Sequence, residues 1–145
     1  MTTKQWYDFL DSIRMYDNKI RRLKYTLAEL RSCALPRGGS DGAVVQYSRT
    51  GSQVERMAER MVLIEKEIDE TIDLKAEAVM RVDDALRSMP EGTKKTILYD
   101  CYVGRISMKK ISENIGYSLK HTYRLRKKAI EEMTTDETID NHSDL

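Results

Sequence analysis

From Trp6 onward the apolar residues keep a seven-residue repeat, with Trp6, Ile13, Ile20 and Leu27 at one position and Phe9, Tyr16, Leu23 and Leu30 at the other. A seam this regular predicts one long helix, Thr3–Ala34, whose narrow apolar stripe must meet another helix. The pattern stops at Leu35-Pro36, because proline lacks a donor and disfavours helical geometry in the residue before it. The run Arg37-Gly-Gly-Ser-Asp-Gly42, followed by Ala43–Gly51 without either period, predicts a flexible linker over 36–51.

Ser52 is placed to cap a second long helix, 52–89. Its expected stripe is Val54, Met57, Met61, Ile64, Ile68, Ile72, Ala76, Val79, Val82, Leu86 and Met89. Successive steps of four between Ile68 and Ala76 resemble a stutter, which predicts locally unwound, straight bundle packing. Met89-Pro90-Glu91-Gly92 then interrupts the pattern. Three shorter helices are expected beyond it, over Glu91–Val103, Ser107–Ile115 and Ser118–Met133, with Ile97, Leu98, Cys101 and Tyr102 of the first facing inward. Ile97, Leu98, Cys101, Ile106, Ile111, Ile115, Leu125, Ala129 and Ile130 are their expected core.

Between the last two helices Gly116 can take the left-handed conformation that ends a helix, and Ser118 offers a hydroxyl to cap the next. A turn so short sets two helices at a steep angle, the geometry of a helix-turn-helix. The expected fold is therefore all-α. A long antiparallel, coiled-coil-like helical hairpin, 1–35 and 52–89, precedes a helix-turn-helix domain, 90–133, and a disordered acidic tail, 134–145.

The formal net charge of +1 over 145 residues averages segments of opposite sign. Gly104–Lys128 carries Arg105, Lys109, Lys110, Lys120, Arg124, Arg126, Lys127 and Lys128 against Glu113 alone, whereas everything from Glu131 on is acidic or neutral. Thr3–Cys33 is net basic and Ser52–Arg87 net acidic, so the two long helices are electrostatically complementary. The basic cluster Lys19, Arg21, Arg22 and Lys24 is read first as a solvated helix face, with a supplementary DNA contact as the alternative. A basic module beside an acidic tail points to nucleic acid as the partner, against the plain alternative of solvated surface charge.

Other classes find less support. Cys33 and Cys101 are too few and too isolated for a disulfide framework or a zinc site, and no Gly-rich phosphate loop or nucleophile with an adjacent base can be assembled. Acid pairs such as Asp69/Asp73 and Asp83/Asp84 read as solvated charges. No catalysis, metal or cofactor is expected. With no apolar run long enough for a bilayer and a charged start, MTTKQWYDFLDSIRM, the expected location is the cytoplasm of a bacterial host, away from membrane.

Leu86–Met133, LRSMPEGTKKTILYDCYVGRISMKKISENIGYSLKHTYRLRKKAIEEM, resembles domain four of bacterial sigma factors in its course of Leu, Ile-Leu, Tyr, Gly, Ser, Ile, Ile-Gly, Ser, Leu, Ala and Ile. It departs at Thr122, where that family usually has Ile or Val, and at Ser112, where it commonly has Ala. Nothing resembles domains two or three, so promoter melting is not expected. Over its full length, with the middle run Ile68-Asp-Glu-Thr-Ile-Asp-Leu-Lys75, the chain is similar to RinA/ArpU-type regulators of late genes in phages and prophages of Gram-positive bacteria. The resemblance implies transcriptional control of late, packaging or lysis genes.

In a helix-turn-helix the second helix enters the major groove with its N-terminal residues at base edges. Leu119, Lys120, His121, Tyr123 and Arg124 are so placed. Arg124 is suited to guanine, Lys120 to guanine or phosphate, and Leu119 to a thymine methyl. Lys109, Lys110, Ser118, Lys127 and Lys128 are the expected phosphate contacts, which position without reading sequence. His121 is either a pH-sensitive phosphate contact or an ordinary surface residue. Double-stranded DNA is thus the expected partner, RNA polymerase a candidate second one, and a homo-oligomer through the long helices a third. The alternatives are the DNA-recognition small subunit of a phage terminase and a helical protein-interaction adaptor.

Overall fold

The computed structural model describes residues 1–34 and 51–140, with side chains through Thr134. Its elements in order are α1 (Thr3–Ala34), α2 (Gly51–Arg87), α3 (Thr93–Leu98), a π-helical turn (Tyr99–Val103), α4 (Met108–Ile115) and α5 (Leu119–Asp140). No strand occurs among the described residues. The expected linker lies outside them except for Gly51, which opens α2. The chain divides into two compact units, one of Met1–Tyr16 with Lys75–Leu145 and one of Asp17–Leu74.

In the unit Asp17–Leu74, Ile20 and Leu27 of α1 close on Ile64 and Ile68 of α2, with Leu23, Leu30 and Met61 half-buried around them. Lys19 pairs with Glu67 at 3.2 Å and Arg31 with Glu65 at 2.9 Å. These pairs are exposed, worth at most about 1 kcal/mol each, whereas burying one Leu or Ile contributes roughly 1.5–3 kcal/mol. The apolar cluster holds this unit and the ion pairs select the partner face.

Burial along α2 corrects the expected stutter. Steps of four and three alternate without a break through Ile64, Ile68, Thr71, Lys75, Ala78 and Val82, of which all but the half-buried Lys75 are buried. Ile72, assigned to the stripe on hydrophobicity, is 43% exposed, and Val54 and Ala76 also face outward. Thr71 takes the core position because its hydroxyl donates to the Glu67 carbonyl oxygen at 2.7 Å, which leaves only its methyl to pack.

The unit of Met1–Tyr16 with Lys75–Leu145 has a core that α3, α4 and α5 do not close by themselves. Trp6, Leu10 and Ile13 of α1 and Ala78, Val82 and Leu86 of α2 join one cluster with Ile97, Leu98, Cys101, Tyr102, Ile111, Ala129 and Ile130. The segment 90–133 is therefore part of a larger unit. Residues of both long helices share one cluster with Leu98 and Ile130 and complete their burial. Of the expected core, Ile106, Ile115 and Leu125 are only partly buried, while Met108 and Met133 are buried instead.

Two local features differ from expectation. The helix after Gly92 widens at Tyr99 into a π-helical turn that Gly104 closes, its N–H donating to the Tyr99 carbonyl oxygen at 2.8 Å. A Cβ on Gly104 would stand 3.2 Å from the Asp100 carbonyl oxygen, so the close approach favours glycine. Second, α5 continues to Asp140, where a disordered tail was expected from Thr134. Within it the Thr134 hydroxyl donates to the Ile130 carbonyl oxygen at 3.1 Å. No helix among the described residues is long and apolar enough to cross a membrane.

Candidate nucleic-acid interface

Three residues at helix ends delimit α4 and open α5. Ser107 caps α4, its Oγ accepting from the Lys110 N–H at 3.2 Å. Gly116 ends α4 at φ 76°, in the left-handed region, and both its N–H and that of Tyr117 donate to the Ser112 carbonyl oxygen. Ser118 then caps α5, its Oγ accepting from the His121 N–H at 3.1 Å. Tyr117, just before the cap, packs edge-on against the His121 ring with centroids 5.1 Å apart. Each link satisfies a backbone donor or acceptor that a helix end would otherwise leave open, which fixes where α4 stops and α5 starts.

Side chains on α5 divide by face. Thr122, Ala129 and Ile130 are fully buried, and the Thr122 hydroxyl donates to the Ser118 carbonyl oxygen at 2.8 Å. Leu119, Lys120, Tyr123, Arg124, Lys127 and Lys128 are exposed. At 44% and 46% exposure, Leu119 and Tyr123 are apolar surface four residues apart on one strip, bordered by Lys120, Arg124 and Lys127. Lys109 and Lys110 are exposed on α4. The structure therefore brings Leu119, Lys120, Tyr123 and Arg124 together at the start of α5. His121 is set apart, half-buried against Tyr117, and the Ser118 hydroxyl is engaged as a cap.

Arg126 is the residue that charge counting misplaces. Counted with the basic stretch, it lies instead half-buried at the edge of the core, its Nη1 3.9 Å from the Cys101 Sγ and its guanidinium 4.9 Å from the centre of the Tyr123 ring. Burial works against its charge, but Tyr102, the Cys101 thiol and Tyr7 outweigh it and raise the guanidinium further above its ordinary value. Burial likewise pushes the Tyr102 and Tyr7 hydroxyls up, with Arg126 partly opposing. A sequence signal for this existed: Arg126 lies four residues after buried Thr122 and three before buried Ala129, on the flank of the packed stripe.

The arrangement offers hydrogen-bond donors and apolar contacts on a rigid helix face, a combination suited to reading base edges beside phosphates. Among the described residues no group of three or more His, Cys, Asp or Glu is placed to hold a metal ion, and Cys33 and Cys101 are unlinked thiols. No family model matches the chain, nor does any curated protein or solved structure.

Proposed function

We propose that the chain is a sequence-specific regulator of transcription that binds double-stranded DNA, with the N-terminal turns of α5 lying in the major groove. One observation carries this reading. Thr122, Ala129 and Ile130 are fully buried, while Lys120, Arg124 and Lys127 stand exposed on the other side of α5 and Tyr123 is exposed at the border of the packed face, just after a turn capped at both helix ends. Lys109 and Lys110 on α4 supply charge for the phosphates beside that groove. The resemblance of 86–133 to domain four of sigma factors supports a promoter-proximal target and RNA polymerase as a second partner. The wider resemblance supports late phage genes as those controlled.

Under this reading the long helices form an antiparallel hairpin. The ion pairs Lys19–Glu67 and Arg31–Glu65 support it, since the later residue of α1 meets the earlier residue of α2. Self-association belongs to the same proposal, because the unit Asp17–Leu74 closes its core on four residues and leaves Leu63 and Leu74 exposed on α2. Sedimentation velocity across protein concentrations tests it.

The DNA reading is tested by selecting duplexes from a random-sequence pool and measuring fluorescence anisotropy with the selected and a scrambled duplex at several salt concentrations. A specific regulator prefers the selected duplex by about a thousandfold or more. A protein-interaction adaptor enriches no sequence.

A further inference from the structure

We propose that Arg126 is a positioning residue that holds the Tyr123 ring beside Leu119 as an apolar surface for the C5-methyl group of thymine. The inference rests on α5 reading the major groove and names the chemistry read.

Arg126 is poorly placed to meet DNA itself. Its side chain is half-buried, one nitrogen approaching the Cys101 Sγ and its Cζ lying over the Tyr123 ring, while Nε is buried with no hydrogen-bond partner. A guanidinium engaged by the Cys101 Sγ and the Tyr123 ring is turned toward the edge of the core rather than out to a phosphate. What it does touch is the ring, 4.9 Å away, in the geometry by which a cation restrains an aromatic face. Tyr123 is therefore covered on one side and exposed on the remainder, and Leu119, one helical turn earlier, extends that surface. Lys120 and Arg124 flank the strip with donors. Among the groups a base pair presents in the major groove, only the thymine methyl is apolar, so it is the feature such a strip can distinguish.

The test replaces each thymine of the selected duplex in turn with deoxyuridine, which removes the methyl group and keeps every hydrogen-bonding atom. Wild-type protein should lose roughly fourfold in affinity at one or more positions, the worth of one buried methyl. Tyr123→Ala should bind the thymine and uracil duplexes alike. Arg126→Met, which keeps the length of the side chain, should shrink the uracil penalty toward none while leaving the slope of log affinity against log salt unchanged. Arg126→Lys, which keeps the cation, should restore part of the penalty. Circular dichroism confirms that each variant is folded, and the wild-type and Tyr123 measurements stand even where an Arg126 variant is not.

Three results overturn the inference. Selected-site preference with no uracil penalty anywhere removes methyl reading but leaves DNA recognition intact. A fall of roughly 1 in the salt slope for Arg126→Met, with selected and scrambled duplexes weakened equally, makes Arg126 a phosphate contact. Absence of any preferred sequence removes the DNA reading and this inference with it.

Discussion

Thr3 and Thr134, 131 positions apart in the chain, stand with their hydroxyl oxygens 3.2 Å apart. The start of α1 is therefore seated on the helix that carries the candidate reading face. Trp6, Leu10 and Ile13 continue that seat into the same cluster as Ala129, Ile130 and Met133. A helix whose inner side is locked in this way presents its outer side without having to order it on binding, which saves conformational entropy at the moment of contact.

The first prediction follows from that seat. Trp6 is 2% exposed, and Trp6→Ala should cost about 3–5 kcal/mol, a large share of a small unit's stability. Thermal unfolding followed by circular dichroism should show a fall of about 10 °C or more in Tm. The isolated segment 90–133 should fail to melt cooperatively. Cooperative melting of that segment at the wild-type temperature would show that it needs no support from α1.

A pH dependence comes from the Tyr99 hydroxyl, which donates to Asp83 Oδ1 at 2.7 Å, while Arg87 Nε donates to the other carboxylate oxygen at 2.9 Å. The bond from Tyr99, then that from Arg87, holds the Asp83 carboxyl below its ordinary value. The same bond to Asp83 raises the Tyr99 hydroxyl above its own. A depressed carboxyl stabilises the fold above its unfolded pKa of about 4, and that contribution disappears as pH falls through the folded value. A raised phenol works in the opposite direction, its contribution present below about 10 and lost as pH rises beyond it. Asp83→Asn should therefore lower Tm at neutral pH, with the difference from wild type closing at both acid and alkaline ends. A difference in Tm that is flat from the acid to the alkaline limit would rule out this linkage.

Gly116 tests the turn. At φ 76° a Cβ meets nothing within 4 Å, so Gly116→Ala introduces backbone strain without a clash. The left-handed conformation costs an alanine roughly 1–2 kcal/mol. Tm should drop by a few degrees, with Gly116→Asn milder because asparagine tolerates this region. Equal stability of all three would mean that the turn relaxes to another conformation.

Thr71 is the counterpart in the long helices. Its hydroxyl returns only to the carbonyl of its own helix, so Thr71→Val removes no bond between elements and should change stability by about 1 kcal/mol at most, the net worth of one hydrogen bond. Thr71→Asp buries an unpaired charge and should cost several kcal/mol. Denaturant titration of both variants checks the register. If Asp is tolerated as well as Val, position 71 is not in the core.

Thr71 also shows where the sequence stopped being legible. The heptad of α1 could be read because Trp6, Ile13, Ile20 and Leu27 are large and apolar at every turn. On α2 the same repeat passes through Thr71 and Lys75, and selecting apolar residues led to exposed Ile72 instead. Gly116 and Ser118 were readable because one residue's own chemistry decides a cap. The seating of Trp6 against α5 was not, since periodicity reveals that a face is buried and never against what. Arg126 stayed hidden for a related reason: a guanidinium enters a core edge only when a particular ring and thiol receive it, and those lie on other turns and elements.

The last prediction separates two kinds of cation on α5. Arg124 and Lys127 are both exposed, but Arg124 lies within the first two turns, which the proposed docking sets nearest the groove floor, whereas Lys127 lies a turn further along. Arg124→Ala should weaken binding to the selected duplex by roughly 1–3 kcal/mol and relax preference at one base pair, with binding to the scrambled duplex nearly intact. Lys127→Ala should weaken both duplexes by a similar factor and reduce the slope of log affinity against log salt by roughly 1, because one phosphate contact releases about one counterion. Anisotropy titrations of both variants across a range of salt concentrations distinguish the two outcomes. If both substitutions reduce both duplexes by one common factor, α5 binds DNA through charge alone and the reading of base edges by Arg124 is wrong.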